Sequence, residues 1–455
     1  MSTAVTPRYI NFSELDRWDV KYFSGRIKSK YPLVSLSTFV REHNEKVRPF
    51  NFPDDTFKIL GVNNTDGIFH AYDALGKEIK QPYKKVAAGD FAYNPYRINV
   101  GSIGWVPDEH EGAFISPAYV VFSIDENIIL PELFWFILKS EFFNKTLRAA
   151  TAGSVRMNLT YPLLETLKIP IPPMPTQKKI VEYWKKVQIK INDLLTQADQ
   201  LPDELERQVL GELGLKKKKR TVMPKVMVTD WAELIKWNQR ATYLLGQTPD
   251  LSKGIYPVAN GRMCIEEVKH GCSASPNRKQ TTLKVLKLSA VTSGEFLPDE
   301  AKFIVDRKQF RENFDLCSGD ILMCRTNGTL AYVGRPVILS EDYSNLIFPD
   351  KLMRVRCKAN VLPEYLEYIL SSSIARPQLE ANARTAVGNH AIGNEDVFNV
   401  GLPLPPIVEQ KRFIDIVHKA RNEIGRAKDE AVNLRRHAEK EIEKLILGTL
   451  SVEDL

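Results

Sequence analysis

The chain reads as an α+β protein: two globular units of mixed α/β character alternate with two long helices. Three observations predict it. "IPIPPMPTQKKIVEYW" from Ile169 returns as "LPLPPIVEQKRFIDIV" from Leu402, with Gln177 and Gln410 233 residues apart. An apolar stripe follows each copy in the same register. The segments before the two copies also answer one another, so half the chain is an internal duplication with pseudo-two-fold character.

The first stripe runs Ile180, Trp184, Val187, Ile191, Leu194, Ala198, Leu201, Leu205. Its steps alternate between four and three, the spacing of a coiled-coil seam. Each position recurs 233 residues later as Phe413, Val417, Ala420, Ile424, Ala427, Ala431, Leu434 and Ala438. Four alanines stand in the second stripe where the first carries mostly larger residues. Small facing large is what interdigitating seams need. The pattern predicts two long antiparallel helices pairing as an intramolecular coiled coil. The alternative is two amphipathic helices, each packed on its own domain. Pro202 falls late in the first helix and is expected to bend or restart it.

The globular parts follow one plan. Residues 1–165 form the first, with short apolar runs between Gly/Asn/Asp/Pro turns that read as strands of a mixed, largely antiparallel sheet. Leu130–Ala149 has helical spacing. A helical region covers 166–214 and a basic linker 215–225, whose "KKKKR" run is a solvated face or a phosphate contact. Residues 226–400 repeat the plan, and 401–455 form the second helical region. Trp237 answers Trp18, Gly319-Asp320 answers Gly89-Asp90 at an offset of 230, and "VLPEYLEYILSSS" answers "ILPELFWFILKSE" at 232.

Composition sets outer bounds. Of 455 residues, 43% are hydrophobic and 26% charged, as in ordinary globular domains. A net charge of +7 permits a nucleic-acid partner without requiring one. The five cysteines (Cys264, Cys272, Cys317, Cys324, Cys357) show no Cys-x-x-Cys spacing, which argues against a disulfide framework or structural zinc. No signal core or membrane-length apolar run is present, so a cytoplasmic location is expected.

A search for catalytic chemistry ends empty. The seven histidines have no metal-ligand spacing. "YNPY" at Tyr93–Tyr96 lacks the second proline of an amino-methyltransferase loop, and no Gly-rich cofactor loop precedes it. In "LPDEAK" the acidic pair is adjacent and cannot span two strands, and no Gly-Lys-Ser/Thr phosphate loop occurs. What remains is a binding inventory in the turn-rich parts of both units. The first holds Tyr83, Lys84, Lys85, Asn94, Tyr96, Arg97, Asn99, Arg156 and Asn158. The second holds Arg325, Thr326, Asn327, Thr329, Tyr332, Arg335, Arg384, Asn389 and His390. Arg and Lys suit phosphates and guanine edges, and Asn suits adenine edges. Each residue alone is equally at home in ordinary turn chemistry; the doubled placement is what raises the group.

With these residues in view, the chain resembles the specificity (S) subunits of type I restriction-modification systems over essentially its whole length. The marks are the two Pro-x-Pro-Pro…Gln-basic-basic entries, with "GDILMCRTNG", "YNPYRINVGSIG" and "SPAYVVF" in support. Glu409 matches the family's glutamate, whereas Thr176 stands in its place in the first copy. The resemblance implies two target-recognition domains, each reading half of a bipartite DNA site, and no catalysis by this chain. It implies two modification (M) methyltransferase subunits that bind S-adenosylmethionine and methylate adenine N6. It also implies restriction (R) subunits that use ATP and Mg2+, in a cytoplasmic, nucleoid-associated phage-defence complex. Lys178, Lys179, Lys411 and Arg412, with Gln177 and Gln410, are the candidate M-subunit contacts. Each stripe spans about 38 Å at ~1.5 Å per residue, against ~34–36 Å for a DNA turn; an unread gap between half-sites is therefore expected. The alternatives are the recognition subunit of another methyltransferase or defence complex, and a coiled-coil interaction scaffold.

Overall fold

The computed structural model describes residues 27–64, 67–98, 101–150, 158–218, 223, 225, 238–386 and 388–454. Trp18, Trp237, Asn99, Arg156, residues 219–222 and 224 of the basic linker, and residues 151–157 lie outside the described residues. The chain divides into two compact units: Met1–Leu194 with Asp429–Leu455, and Leu195–Lys428.

In the first unit Val40–Glu42, Val120–Ile124, Phe91–Tyr93 and Ile103–Trp105 form a four-stranded antiparallel sheet in that spatial order. A five-stranded sheet joins Lys46–Val47, Tyr83–Lys85, Phe114–Ile115, Thr56–Val62 and Ile68–Leu75, with one parallel pair. Aromatic and β-branched residues make these short runs extended and place large side chains inward. Phe91, Phe122 and Phe39 are buried against Phe134 in edge-on contacts. Phe134 belongs to the helix Pro131–Lys139, which opens on proline, where no N–H is required. The single helix expected over Leu130–Ala149 is two, Pro131–Lys139 and Glu141–Ala150. Ser140 adopts an extended conformation between them, and its hydroxyl accepts the Phe143 N–H at 3.2 Å, capping the second.

The second unit repeats the first sheet. Ile265–His270, Leu352–Cys357, Ile321–Cys324 and Pro336–Ile338 lie in the same order, 1-4-2-3 along the chain. A three-stranded sheet (Ala301–Phe303, Lys284–Leu286, Leu346–Ile347) again contains one parallel pair. In both units a two-stranded ribbon closes the globular part onto its helix: Leu33–Ser35 with Lys168–Pro170, and Val258–Asn260 with Gly401–Pro403. The first globular part therefore extends beyond residue 165 to Pro170.

The long helices are Met174–Glu212 and Ile407–Leu447. Every one of the predicted stripe residues is buried or half-buried. In the first unit Val187, Ile191 and Leu194 pack with Ala431, Leu434 and Ala438, large against small. Lys190 faces Glu430 at 4.0 Å and Tyr183 donates to Glu441, so rising numbers on one helix meet falling numbers on the other. In the second unit Leu205 shares a core with Phe413 and Val417, and Arg412 pairs with Glu212 at 2.9 Å. The helices run antiparallel in both. The outer stripe positions do more than line a seam: Ile180 belongs to the first globular core, and Phe413 and Val417 to the second. Pro202 lies inside an uninterrupted helix and does not restart it.

The C-terminal end of each helix docks on the other half's domain. Ile442, Leu445 and Ile446 enter the first unit's core, and Val209 and Leu213 enter the second's. Val209 and Ile442 are again 233 apart, as are Leu213 and Ile446. Each unit thus combines one globular part, the start of its own helix and the end of the other; the first is built from two stretches of chain and the second from one.

Candidate nucleic-acid interface

The same strand organises both candidate sites. Phe91–Tyr93 and Ile321–Cys324 each begin after a Gly-Asp turn and each end in a loop rich in candidate contacts. At the turn, Gly89 and Gly319 have φ of 86° and 84°, a left-handed conformation that favours glycine. Buried Asp90 accepts the Ala87 N–H at 2.8 Å, and buried Asp320 accepts the Cys317 N–H at 2.9 Å. The aspartates staple the turns and point away from the loops.

At the far end of the first strand, Asn94 begins a tight excursion that returns to the sheet at Ser102. The Asn94 side-chain oxygen accepts the Tyr96 N–H at 3.0 Å, and its carbonyl accepts the Arg97 N–H at 3.0 Å. This local turn leaves Tyr96 60% exposed and Arg97 exposed beside it. Leu159 N–H donates to Pro95 O at 3.1 Å, and Tyr93 O–H to Leu159 O at 3.1 Å. Asn158, the residue before Leu159, therefore lies at the same end of the strand.

Lys84 and Lys85 do not join them. Lys84 is buried, 3.7 Å from Glu42, and burial lowers its ammonium pKa from the ordinary value against the opposing pull of Glu42. A buried, paired lysine does not meet phosphate first, so Lys84 is corrected to a structural role. Lys85 is exposed but lies with Asp90 and Glu111, at the Gly-Asp end of the strand.

In the second unit the corresponding loop is built as a sheet. Thr326–Asn327 pairs with Asn389–Ala391, which pairs with Arg384–Ala386. Two segments some sixty residues apart thus place five candidates side by side: Thr326, Asn327, Arg384, Asn389 and His390. Residues directly opposite across a ladder share a face. Asn327, His390 and Thr385 therefore form one row, and Thr326, Ala391 and Arg384 a row on the opposite face. Thr329 N–H is received by Asn327 Oδ1 at 2.9 Å, which closes the turn. Arg325 is half-buried and donates from Nη1 to Asp350 O at 3.0 Å, so it braces the loop from beneath. Arg335 donates to Thr292 O at 2.6 Å and lies 5.9 Å from the exposed ring of Tyr332.

Two candidate partner contacts are overturned. Gln177 and Gln410 are 1% and 0% exposed, and both perform one internal task. Gln177 donates to Ile128 O and Pro172 O, each at 2.9 Å, and accepts the Leu130 N–H at 2.9 Å. Gln410 donates to Asn360 O at 3.0 Å and Pro405 O at 2.9 Å, and accepts the Leu362 N–H at 2.8 Å. Each glutamine locks its long helix to the start of the short helix at Pro131 or Pro363. Lys178, Lys179, Lys411 and Arg412 are exposed, with Lys179 paired to Glu453 at 2.7 Å and Arg412 to Glu212.

Thr385 was missed in the sequence. The signal for it was the glycine turn between Thr385 and His390, which makes them cross-strand partners. Among the described residues no cluster of three or more His, Cys, Asp or Glu side chains could hold a metal ion, and no helix is long and apolar enough to cross a membrane.

Comparison with known proteins gives one direction. A family model for the type I restriction modification DNA specificity domain matches residues 79–207, from just before strand Tyr83–Lys85 into the first long helix. The type I restriction enzyme EcoKI specificity subunit of Escherichia coli (strain K12) is 25% identical over 392 residues, covering 84% of this chain and 80% of that protein. The StySPI specificity subunit of Salmonella potsdam is 23% identical over 393 residues, with the same 84% and 80% coverage. A solved chain from work on complex assembly and conformational transition of the type I R-M system shares the fold. Its TM-score is 0.56 at 17% identity, covering 93% of this chain and 100% of that one. With two repeated sheets, two antiparallel helices and curated relatives matched along most of its length, the chain is similar to the type I restriction-modification DNA specificity subunits.

Proposed function

We propose that this specificity subunit, itself non-catalytic, reads a bipartite DNA target with one unit per half-site. The observation that carries the reading is the doubled strand. In both units a stapled Gly-Asp turn fixes one end of a core strand and a polar loop leaves the other. The loops differ in sequence and construction, a tight turn at Asn94–Arg97 and a three-stranded sheet at Asn327–His390. Two unlike readers on one scaffold suit two unlike half-sites. Exposed Tyr96 and Arg97, and the amide and imidazole groups of the second loop, supply the stacking and hydrogen-bonding groups that base edges require.

The same reading assigns adenine-N6 methylation to two M subunits holding S-adenosylmethionine, and ATP- and Mg2+-dependent cleavage to R subunits. The exposed cations Lys178, Lys179, Lys411 and Arg412 at the helix starts are the proposed M-subunit surface. The working location is the cytoplasm, with DNA. The test is reconstitution: the chain with its M subunits should methylate a split site and bind it with a steep salt dependence. Methyl transfer by the chain alone, or a single uninterrupted target, would overturn the proposal.

A further inference from the structure

Within the second unit's loop the structure assigns a positioning role to a residue outside the candidate inventory: we propose that Thr385 orients His390 to read a base acceptor in the second half-site. This rests on the proposed reading of DNA by that loop. His390 sits on the central strand of the three-stranded sheet, with Asn327 opposite it on one side and Thr385 on the other. The Thr385 hydroxyl lies 3.0 Å from His390 Nδ1. Thr385 is exposed and His390 half-exposed, so the pair is at the surface. Asn327 is already engaged: its carbonyl oxygen receives the Thr329 N–H and fixes that edge of the row.

The chemistry follows from which ring nitrogen is occupied. A neutral imidazole offers one donor and one acceptor, and the bond made at one nitrogen fixes the role of the other. In the proposed tautomer the threonine hydroxyl donates to Nδ1 and the proton is on Nε2. The ring then presents an N–H to the nucleic acid, matched to guanine N7 or O6 or to thymine O4 in the major groove. Removing the hydroxyl frees the ring to rotate and to exchange tautomers. The expected loss is discrimination at one base pair, with overall DNA affinity nearly kept. Thr385 itself touches the histidine, not the base.

The experiment is methylated-motif sequencing in cells carrying the complete system, with Thr385→Val, Thr385→Ser and His390→Ala variants of this chain. Methylation at the preferred base over its competitors should fall about tenfold in Thr385→Val, at one position of one half-site, where wild type requires guanine or thymine on one strand. Thr385→Ser should restore it, and His390→Ala should relax the same position. The melting temperature of the purified complex should be unchanged in Thr385→Val, which separates positioning from folding. Relaxation by His390→Ala with no change in Thr385→Val overturns the positioning role while leaving the DNA-reading role standing. An unchanged motif in all three variants, persisting when residues 384–391 are exchanged for a relative's, overturns both.

Discussion

Asp90 and Asp320 hold the same turn in the two units, yet their partners differ. Asp90 meets His43 Nδ1 at 2.9 Å, and the other nitrogen of that ring meets Ser123 Oγ at 3.1 Å. Asp320 meets Arg356 directly at 2.7 Å, with Arg354 close behind. Strand pairing aligns Phe122 with Val355, because each lies opposite the aligned residues Phe91 and Ile321. Ser123 therefore corresponds to Arg356, and Val121 to Arg354. A neutral hydroxyl and a titratable ring do in one unit what two permanent cations do in the other. By contrast Gln177 and Gln410 have not diverged at all. The duplication has kept the clamps that define backbone position and let the neighbouring charges vary, provided each buried carboxylate finds a partner.

That contrast can be broken at several points. The largest effect is expected from Gln177→Ala and Gln410→Ala. Each leaves a buried N–H and two carbonyls unpaired, at roughly 3 kcal/mol or more, and the two losses should agree within about 1 kcal/mol in urea unfolding of the purified chain. A large loss from one and none from the other would mean the shared geometry is not a shared function.

Arg354→Val comes next. Arg354 is 1% exposed and bonds Asp315 at 2.7 Å and Glu267 at 2.5 Å, where the first unit carries apolar Val121. Installing valine alone takes the arginine from half-exposed Glu267 and one of two arginines from half-exposed Asp315, and should cost about 1.5–3 kcal/mol. Adding Asp315→Asn should recover part of that loss, and a failure to recover any would show that the cost is packing and not charge. Ala431→Leu tests the seam, since the large residues Val187 and Ile191 already fill the space it would enter. Overpacking there should cost about 1–3 kcal/mol, measured by thermal melting.

The smallest effect concerns pH. Burial raises the Asp315 carboxyl, but hydrogen bonds and charges from Arg356 and Arg354 outweigh it and hold it well below the usual carboxylate range. A depressed carboxyl adds stability at neutral pH, and that stability drains away as pH falls below about 4. Asp315→Asn should flatten the acid limb of a stability-versus-pH curve. An unaltered limb would remove Asp315 from the account.

Much of this was readable in the residues. The 233-residue offset found both helices, and the alternation of four and three found the seam, because periodicity depends only on which faces are apolar. The Gly-Asp turns and the helix opening on Pro363 followed from local chemistry. The misreadings share a cause. Gln177 and Lys84 look like surface residues by type, and only the three-dimensional packing shows the carbonyls and the carboxylate that satisfy them indoors. The row Asn327–His390–Thr385 was hidden for a related reason: it joins segments distant in sequence through strand register, which composition does not encode. The docking of each helix's end on the opposite half's domain was equally invisible, since Val209 and Ile442 read simply as further apolar helix positions.

The central claim is that each unit reads its own half of the target. It is tested most directly by replacing residues 1–165 with those of a relative of different specificity and sequencing the methylated motif in cells carrying the complete system. The account predicts that one half-site changes and the other stays as in the parent. A motif altered in both halves, or in neither by an assembled and active complex, would contradict it.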